Sequence, residues 1–123
     1  MTIKKKRVRE ILIGIRSEIE NALKAGEYDL LPSLAHRGLM LAGRHLLRTK
    51  GTVVRPSWAQ LRRHVSELEA LTGISGLAAV GDFIRGEDKS SRYADDEWEY
   101  DEDNISENTK IILAFIIKVL ELA

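Results

Sequence analysis

The sequence predicts an all-α fold, an up-and-down bundle of four to five helices. Long stretches carry apolar residues at a spacing of three to four, and no stretch is convincing as a strand. The chain has 123 residues, 44% of them apolar, which suits a single domain over residues 1–123 with a core of its own. The absence of cysteine excludes a disulfide scaffold and thiolate chemistry.

The first helix is predicted over about Lys4 to Ala25. Apolar residues from Val8 to Leu23 recur at helical spacing, and charged residues lie between them, as in an amphipathic helix that faces a core. Gly26 stands at the C-terminal position where glycine commonly ends a helix.

The second helix is predicted over about Leu30 to Arg48. Asp29 is expected to cap it, and Pro32 is tolerated in its first turn. Three small residues in its middle should let another helix approach closely: Gly38, Ala42 and Gly43.

The middle of the chain is predicted to hold a loop over residues 49–56 and two further helices. Ser57 and Gln60 form a capping-box pattern that opens a third helix, which continues to Gly73. A short fourth helix is expected over about Ser75 to Ile84, weakened by its glycines. Residues 86–104 are rich in charge and in turn-forming residues, and they are predicted to form an exposed acidic loop.

The last helix is predicted to begin at Asn104 or Ser106 and to be apolar on most sides. This pattern favours a homodimer in which a second subunit covers the helix, and the alternative is that the helix lies at the centre of one bundle. The apolar run from Ile111 to Ile117 is far shorter than the roughly 20 residues that a membrane-spanning helix needs. No signal-peptide pattern is present, so we expect a cytoplasmic protein without membrane attachment.

Charge is divided unevenly along the chain. Residues 1–63 carry a net charge of +9 and residues 64–123 carry −9, although the whole chain is neutral. Such a division must be balanced within the fold, across a dimer or by a partner.

Two stretches give the sequence a family resemblance. They are "ENALKAGEYDLLPSLAHRGLMLAGRHLLRTKG" and "SSRYADDEWEYDEDNISENTKIILAFIIKVLELA", with Ala25–Gly26–Glu27–Tyr28 between the first helices and Arg92–Tyr93–Ala94–Asp95–Asp96 before the last. The chain resembles the HEPN family of small all-helical domains from about Ile11 onward. The resemblance implies a bundle that commonly dimerises, a nucleotide or RNA ligand, and a minimal nucleotidyltransferase partner in a two-component, toxin-antitoxin-like system.

Some HEPN proteins are metal-independent ribonuclease toxins, and their motif is an arginine followed after four to six residues by a histidine. This chain departs from that spacing, because seven residues separate Arg37 from His45 and eight separate Arg55 from His64. The departure disfavours the endoribonuclease alternative, for which His64 and His45 are the candidate catalytic residues. His36, His45 and His64 share no metal-ligand spacing, so no metal or other cofactor is predicted.

A stripe of basic residues is the candidate anion or nucleotide site. Arg37, Arg44 and Arg48 lie on one side of the second helix, and Arg62 and Arg63 follow in the third helix. The alternative is that these arginines only neutralise the acidic loop. Arg92 and Tyr93 are further candidates for ligand contact. The sequence therefore predicts a binding or partner module, with the ribonuclease and a purely structural homodimer as alternatives.

Overall fold

A computed structural model describes residues 2–93 and 99–123, and all regular secondary structure in these two ranges is helical. The helices are α1 (Thr2–Ala25), α2 (Leu31–Thr49), α3 (Trp58–Arg62), α4 (Val65–Thr72), α5 (Leu77–Tyr93) and α6 (Glu102–Leu122). The all-α prediction is confirmed for this part of the chain. None of the described helices is long and apolar enough to cross a membrane.

Helix α2 lies at the centre of the bundle and packs against α1, α5 and α6. Val8 of α1 lies beside Arg48 near the end of α2, and Arg9 donates a hydrogen bond to the carbonyl oxygen of Leu120 at 2.8 Å. The start of α1 is therefore close to the ends of both α2 and α6. It follows that α1 runs antiparallel to these two helices.

The small residues of α2 permit this packing, as the sequence predicts. A Cβ atom added at Gly38 would lie 2.5 Å from Cδ1 of Ile116 in α6, and one added at Gly43 would lie 3.0 Å from Cδ2 of Leu61 in α3. Larger side chains at these positions would push the neighbouring helices away from α2.

The turn between α1 and α2 confirms two predicted signals and corrects a third. Gly26 has a φ of +69°, in the left-handed region that favours glycine, and Pro32 lies in the first turn of α2. Asp29 is not the cap: Leu30 occupies the N-cap position, and no side chain caps the helix there.

The predicted third helix is interrupted. α3 ends at Arg62 and α4 begins at Val65, because the backbone N–H groups of Arg63 and His64 donate to carbonyls three residues back rather than four. No glycine or proline marks this break. Ser57 is the N-cap of α3 as predicted, but its side chain makes no capping hydrogen bond, so the capping box is wrong.

Helix α5 is longer than predicted, and residues 86–93 belong to it rather than to the acidic loop. Within this extension Asp88 is 5% exposed and accepts a hydrogen bond from Arg92 one turn later. Part of the predicted loop, residues 94–98, lies outside the described residues. α6 begins at Glu102, slightly earlier than predicted, and Asp101 caps it by accepting a hydrogen bond from the Asn104 backbone N–H.

Helix α6 receives most of its cover from within the chain. It packs against α1, α2 and α5, and its Ile112, Phe115, Ile116 and Val119 are fully buried. The alternative of a central last helix therefore accounts for most of its apolar surface without a second subunit.

Candidate anion-binding groove

A groove follows the basic side of α2. It consists of two adjoining depressions that share Leu41 and Arg44, one toward Arg37 and the other toward Arg48. We call it the α2 groove and define it by six residues of that helix: Arg37, Met40, Leu41, Arg44, His45 and Arg48.

The walls of the α2 groove come from elements distant in the sequence. Ile15 and Val8 of α1 border it, as do Val54 and Pro56 of the connection between α2 and α3 and Trp58 of α3. The groove thus offers partly apolar walls beside its arginines.

The three predicted arginines lie along this groove. With a rise of 1.5 Å per residue, Arg37 and Arg44 are about 10 Å apart along the helix axis, and Arg48 is about 6 Å further on. Arg44 is oriented by the connection that follows α2, since its Nε donates to the carbonyl oxygen of Val54 at 2.9 Å. Its terminal amino groups remain available as planar donors suited to phosphate.

The acidic part of the chain does not neutralise these arginines in the described residues. The ion pairs between described residues include Arg16–Glu20, Arg62–Asp82, Arg92–Asp88 and Lys118–Glu121, and His64 lies 3.9 Å from Glu67. None of them involves Arg37, Arg44 or Arg48. The predicted pairing of the acidic loop with the basic stripe involves Asp95, Asp96, Glu97 and Glu99. The first three lie outside the described residues, and Glu99 is in none of these ion pairs.

The structure does not bring Arg62 into the groove. Its guanidinium forms a bidentate pair with Asp82 of α5, with Nε to Oδ1 and Nη2 to Oδ2 both at 3.0 Å. The indole Nε1 of Trp58 donates to the same carboxylate at 2.7 Å. The hydrogen bond from Arg62, followed by that from Trp58, lowers the pKa of Asp82, and the pKa of Arg62 is raised in turn. Arg62 therefore joins α3 to α5.

The remaining sequence candidates are divided between the groove and other places. His45 borders the groove with Arg44 and Arg48. His64 lies at the N-cap of α4 with its Nδ1 3.9 Å from Oε2 of Glu67, away from the groove, and Arg63 is exposed at the end of α3. Arg92 is in α5, and the side chain of Tyr93 is not described.

Sequence reasoning missed a polar pocket at the other end of the groove. His36 lines both the groove and this pocket, together with Arg85, Asp88, Lys89 and Arg92 of α5. Burial lowers the pKa of His36; Asp88 opposes this shift, and Arg85 and Arg92 add to it. The four α5 residues have the spacing of one helix face, a signal that would have been visible had α5 been predicted beyond Ile84.

Within the described residues, no group of three or more His, Asp or Glu side chains could hold a metal ion. Comparison with family models, with curated proteins and with solved structures found no match to this chain.

Proposed function

We propose that this protein is a HEPN-like binding module whose α2 groove binds the phosphodiester backbone of RNA. The observation that carries the proposal is the line of Arg37, Arg44 and Arg48 along about 16 Å of α2, without carboxylate partners in the described residues. This length exceeds a single phosphate, and arginine binds phosphate oxygens through paired donors. Such a role fits the cytoplasmic location that the sequence predicts.

The length and chemistry of the groove favour a backbone ligand over base recognition. Trp58 is the aromatic residue that borders it, and the indole of Trp58 is buried and bonded to Asp82. Among the described residues, the groove therefore offers no exposed Phe, Tyr or Trp ring on which successive bases could stack. We expect binding that depends on phosphate and varies little with sequence.

A titration of labelled single-stranded RNA tests this function. The protein should bind RNA at about 50 mM salt and lose much of its affinity at about 200 mM, because each phosphate contact releases counterions. A lack of binding at the lower salt would overturn the proposal and would strengthen the alternative partner, a minimal nucleotidyltransferase.

The same samples distinguish binding from cleavage. His45 shares the groove with Arg44 and Arg48, which favours it over His64 as the catalytic residue of the ribonuclease alternative. RNA cleavage in the presence of a chelator, abolished by His45→Gln, would support that alternative. Intact RNA would support the binding module.

A homodimer remains a separate proposal, and the surface left exposed between α1 and α6 is where we place it. Ile13 of α1 is 46% exposed and lies beside Ile117, with Arg9, Arg16 and Glu121 around them. Ile111 and Leu122 of α6 are also partly exposed. These apolar side chains would be covered in a symmetric dimer.

We expect sedimentation velocity to show a dimer at micromolar concentration, and Ile13→Asp to shift it toward monomer without unfolding it. Ile116→Asp serves as the contrast, because Ile116 is fully buried and its replacement should unfold the single chain. A parent protein that sediments as a monomer would contradict the dimer.

A further inference from the structure

The polar pocket between α2 and α5 combines exposed cations with a buried carboxylate. Arg85, Lys89 and Arg92 are exposed, whereas the side chain of Asp88 is only 7% exposed. His36 closes the pocket from α2. We call it the α5 pocket. It lies at the end of the α2 groove that is away from Arg48.

Two buried polar atoms of the α5 pocket have no hydrogen-bond partner among the described residues. One carboxylate oxygen of Asp88, Oδ2, accepts from Nη2 of Arg92 at 3.1 Å, and the other, Oδ1, has no partner. The Nδ1 atom of His36 is also buried and has no hydrogen-bond partner among the described residues. Buried polar atoms are nearly always paired, so these two atoms indicate a ligand with complementary groups.

The chemistry of the pocket restricts that ligand. The three cations attract an anion, but Oδ1 of Asp88 is an acceptor and repels an anion oxygen that carries no proton. A ligand that satisfies both is an anion that also carries a hydrogen-bond donor. Protonated phosphate has such a donor, whereas sulfate and a phosphodiester do not.

His36 further restricts the kind of ligand that the α5 pocket can bind. Burial lowers the pKa of His36, which disfavours a positive charge on its imidazole and therefore a fully ionised oxyanion beside it. A neutral ring nitrogen can donate to or accept from a phosphate oxygen or hydroxyl.

We propose that the α5 pocket binds a phosphate group that still carries a proton, either hydrogenphosphate or the monoanion of a terminal phosphate monoester. The site goes beyond the proposed function, because the diester groups of an RNA backbone lack the required donor. The test of the α5 pocket uses no RNA. A negative result for phosphate in this pocket can therefore be told apart from a negative result for RNA in the α2 groove.

The test compares inorganic phosphate with sulfate at equal ionic strength and about pH 6, where a phosphate monoester is partly protonated. Amide chemical shifts of α2 and α5 are followed during each titration by NMR. We expect saturable binding of phosphate at least about tenfold tighter than that of sulfate, since a hydrogen bond to a charged group is gained. Ribose 5-phosphate, titrated in parallel, assigns the pocket to free phosphate or to a terminal monoester according to which binds more tightly.

Two variants test whether anion binding depends on the α5 pocket or only on the attraction between opposite charges. Asp88→Asn keeps the shape of the side chain but supplies an N–H donor, so sulfate should bind nearly as well as phosphate. Arg85→Gln with Lys89→Gln should weaken both anions by about tenfold or more. The pair Lys24→Gln and Lys110→Gln, which makes the same change in net charge away from the pocket, should have little effect.

Three results would overturn the proposal. They are the absence of saturable phosphate binding, equal affinity of the parent protein for phosphate and sulfate, and a preference for phosphate that survives in a folded Asp88→Asn variant. Folding of that variant is checked by its amide spectrum, and the Arg85 and Lys89 variants remain informative if it fails to fold, because both residues are exposed.

Discussion

Replacing Arg44 and Arg48 together with glutamine should weaken RNA binding by about 100-fold or more at low salt, because two charge-assisted contacts to phosphate are lost. The slope of the logarithm of affinity against the logarithm of salt concentration should fall by about 1.4, since each single-strand phosphate contact contributes about 0.7. Fluorescence anisotropy with labelled single-stranded RNA measures both quantities.

The matched control is the pair Lys24→Gln and Lys110→Gln. Both lysines are exposed, on α1 and α6, and their replacement changes the net charge by the same amount without altering the α2 groove. If the two double variants lose affinity equally, RNA binding depends on overall charge and the groove is not the site.

Loss of folding must be separated from loss of binding in this experiment. Arg44 donates to Val54, so its replacement removes a hydrogen bond that orients the connection after α2. Arg48 is exposed at the end of the helix, and no hydrogen bond of its side chain to another described residue is found. Arg48→Gln alone should therefore reduce the salt slope by about half of the double effect while leaving the melting temperature unchanged.

Gly81→Ala should destabilise the protein by about 1–3 kcal/mol, although alanine is the better helix former. Gly81 is buried in α5 against the distal ring of the Trp58 indole, and a Cβ atom there would overlap that ring. The indole cannot move without cost, because it is buried and its Nε1 is bonded to Asp82. Thermal unfolding should show a melting temperature lower by about 4 °C for each kcal/mol.

Gly86 in the same helix is the control. Nothing lies within 4 Å of a Cβ atom built at Gly86, so Gly86→Ala should stabilise the protein by about 0.5–1 kcal/mol. Trp58→Phe removes the atoms nearest to Gly81, so the loss from Gly81→Ala should be smaller in that background. Equal stability of the Gly81→Ala and Gly86→Ala variants would contradict the packing described here.

Gly81 of α5 shows what neighbouring residues in the sequence can and cannot predict. Gly81 lowers the intrinsic helical propensity, so the sequence predicts a weak fourth helix around it. Its actual role is to accept the ring of Trp58, a residue 23 positions earlier in the chain. The benefit of that contact cannot be recognised from neighbouring residues. The predicted helix ended too early for a separate reason, because the charge-rich residues 86–104 were predicted to form a loop.

In the candidate site, too, some residue positions were predictable from the sequence and others were not. Arg37, Arg44 and Arg48 belong to one helix, so their common side follows from helical spacing and was predictable. Arg62 was assigned to the same site because the third helix follows the second closely in sequence. Its pairing with Asp82 depends on where α5 lies, which helical spacing does not specify.

The sequence by itself determined the all-α class, the extents of α1 and α2 to within a few residues, the close approach at Gly38 and Gly43, and the basic side of α2. Each of these depends on residues a few positions apart, whose relation is set by the helix repeat or by a glycine turn. Only the tertiary structure decided the break before His64, the continuation of α5 to Tyr93 and the burial of Asp88 beside His36. These features depend on contacts between distant helices, whose packing free energy outweighs local preferences that amount to about 1 kcal/mol per residue or less.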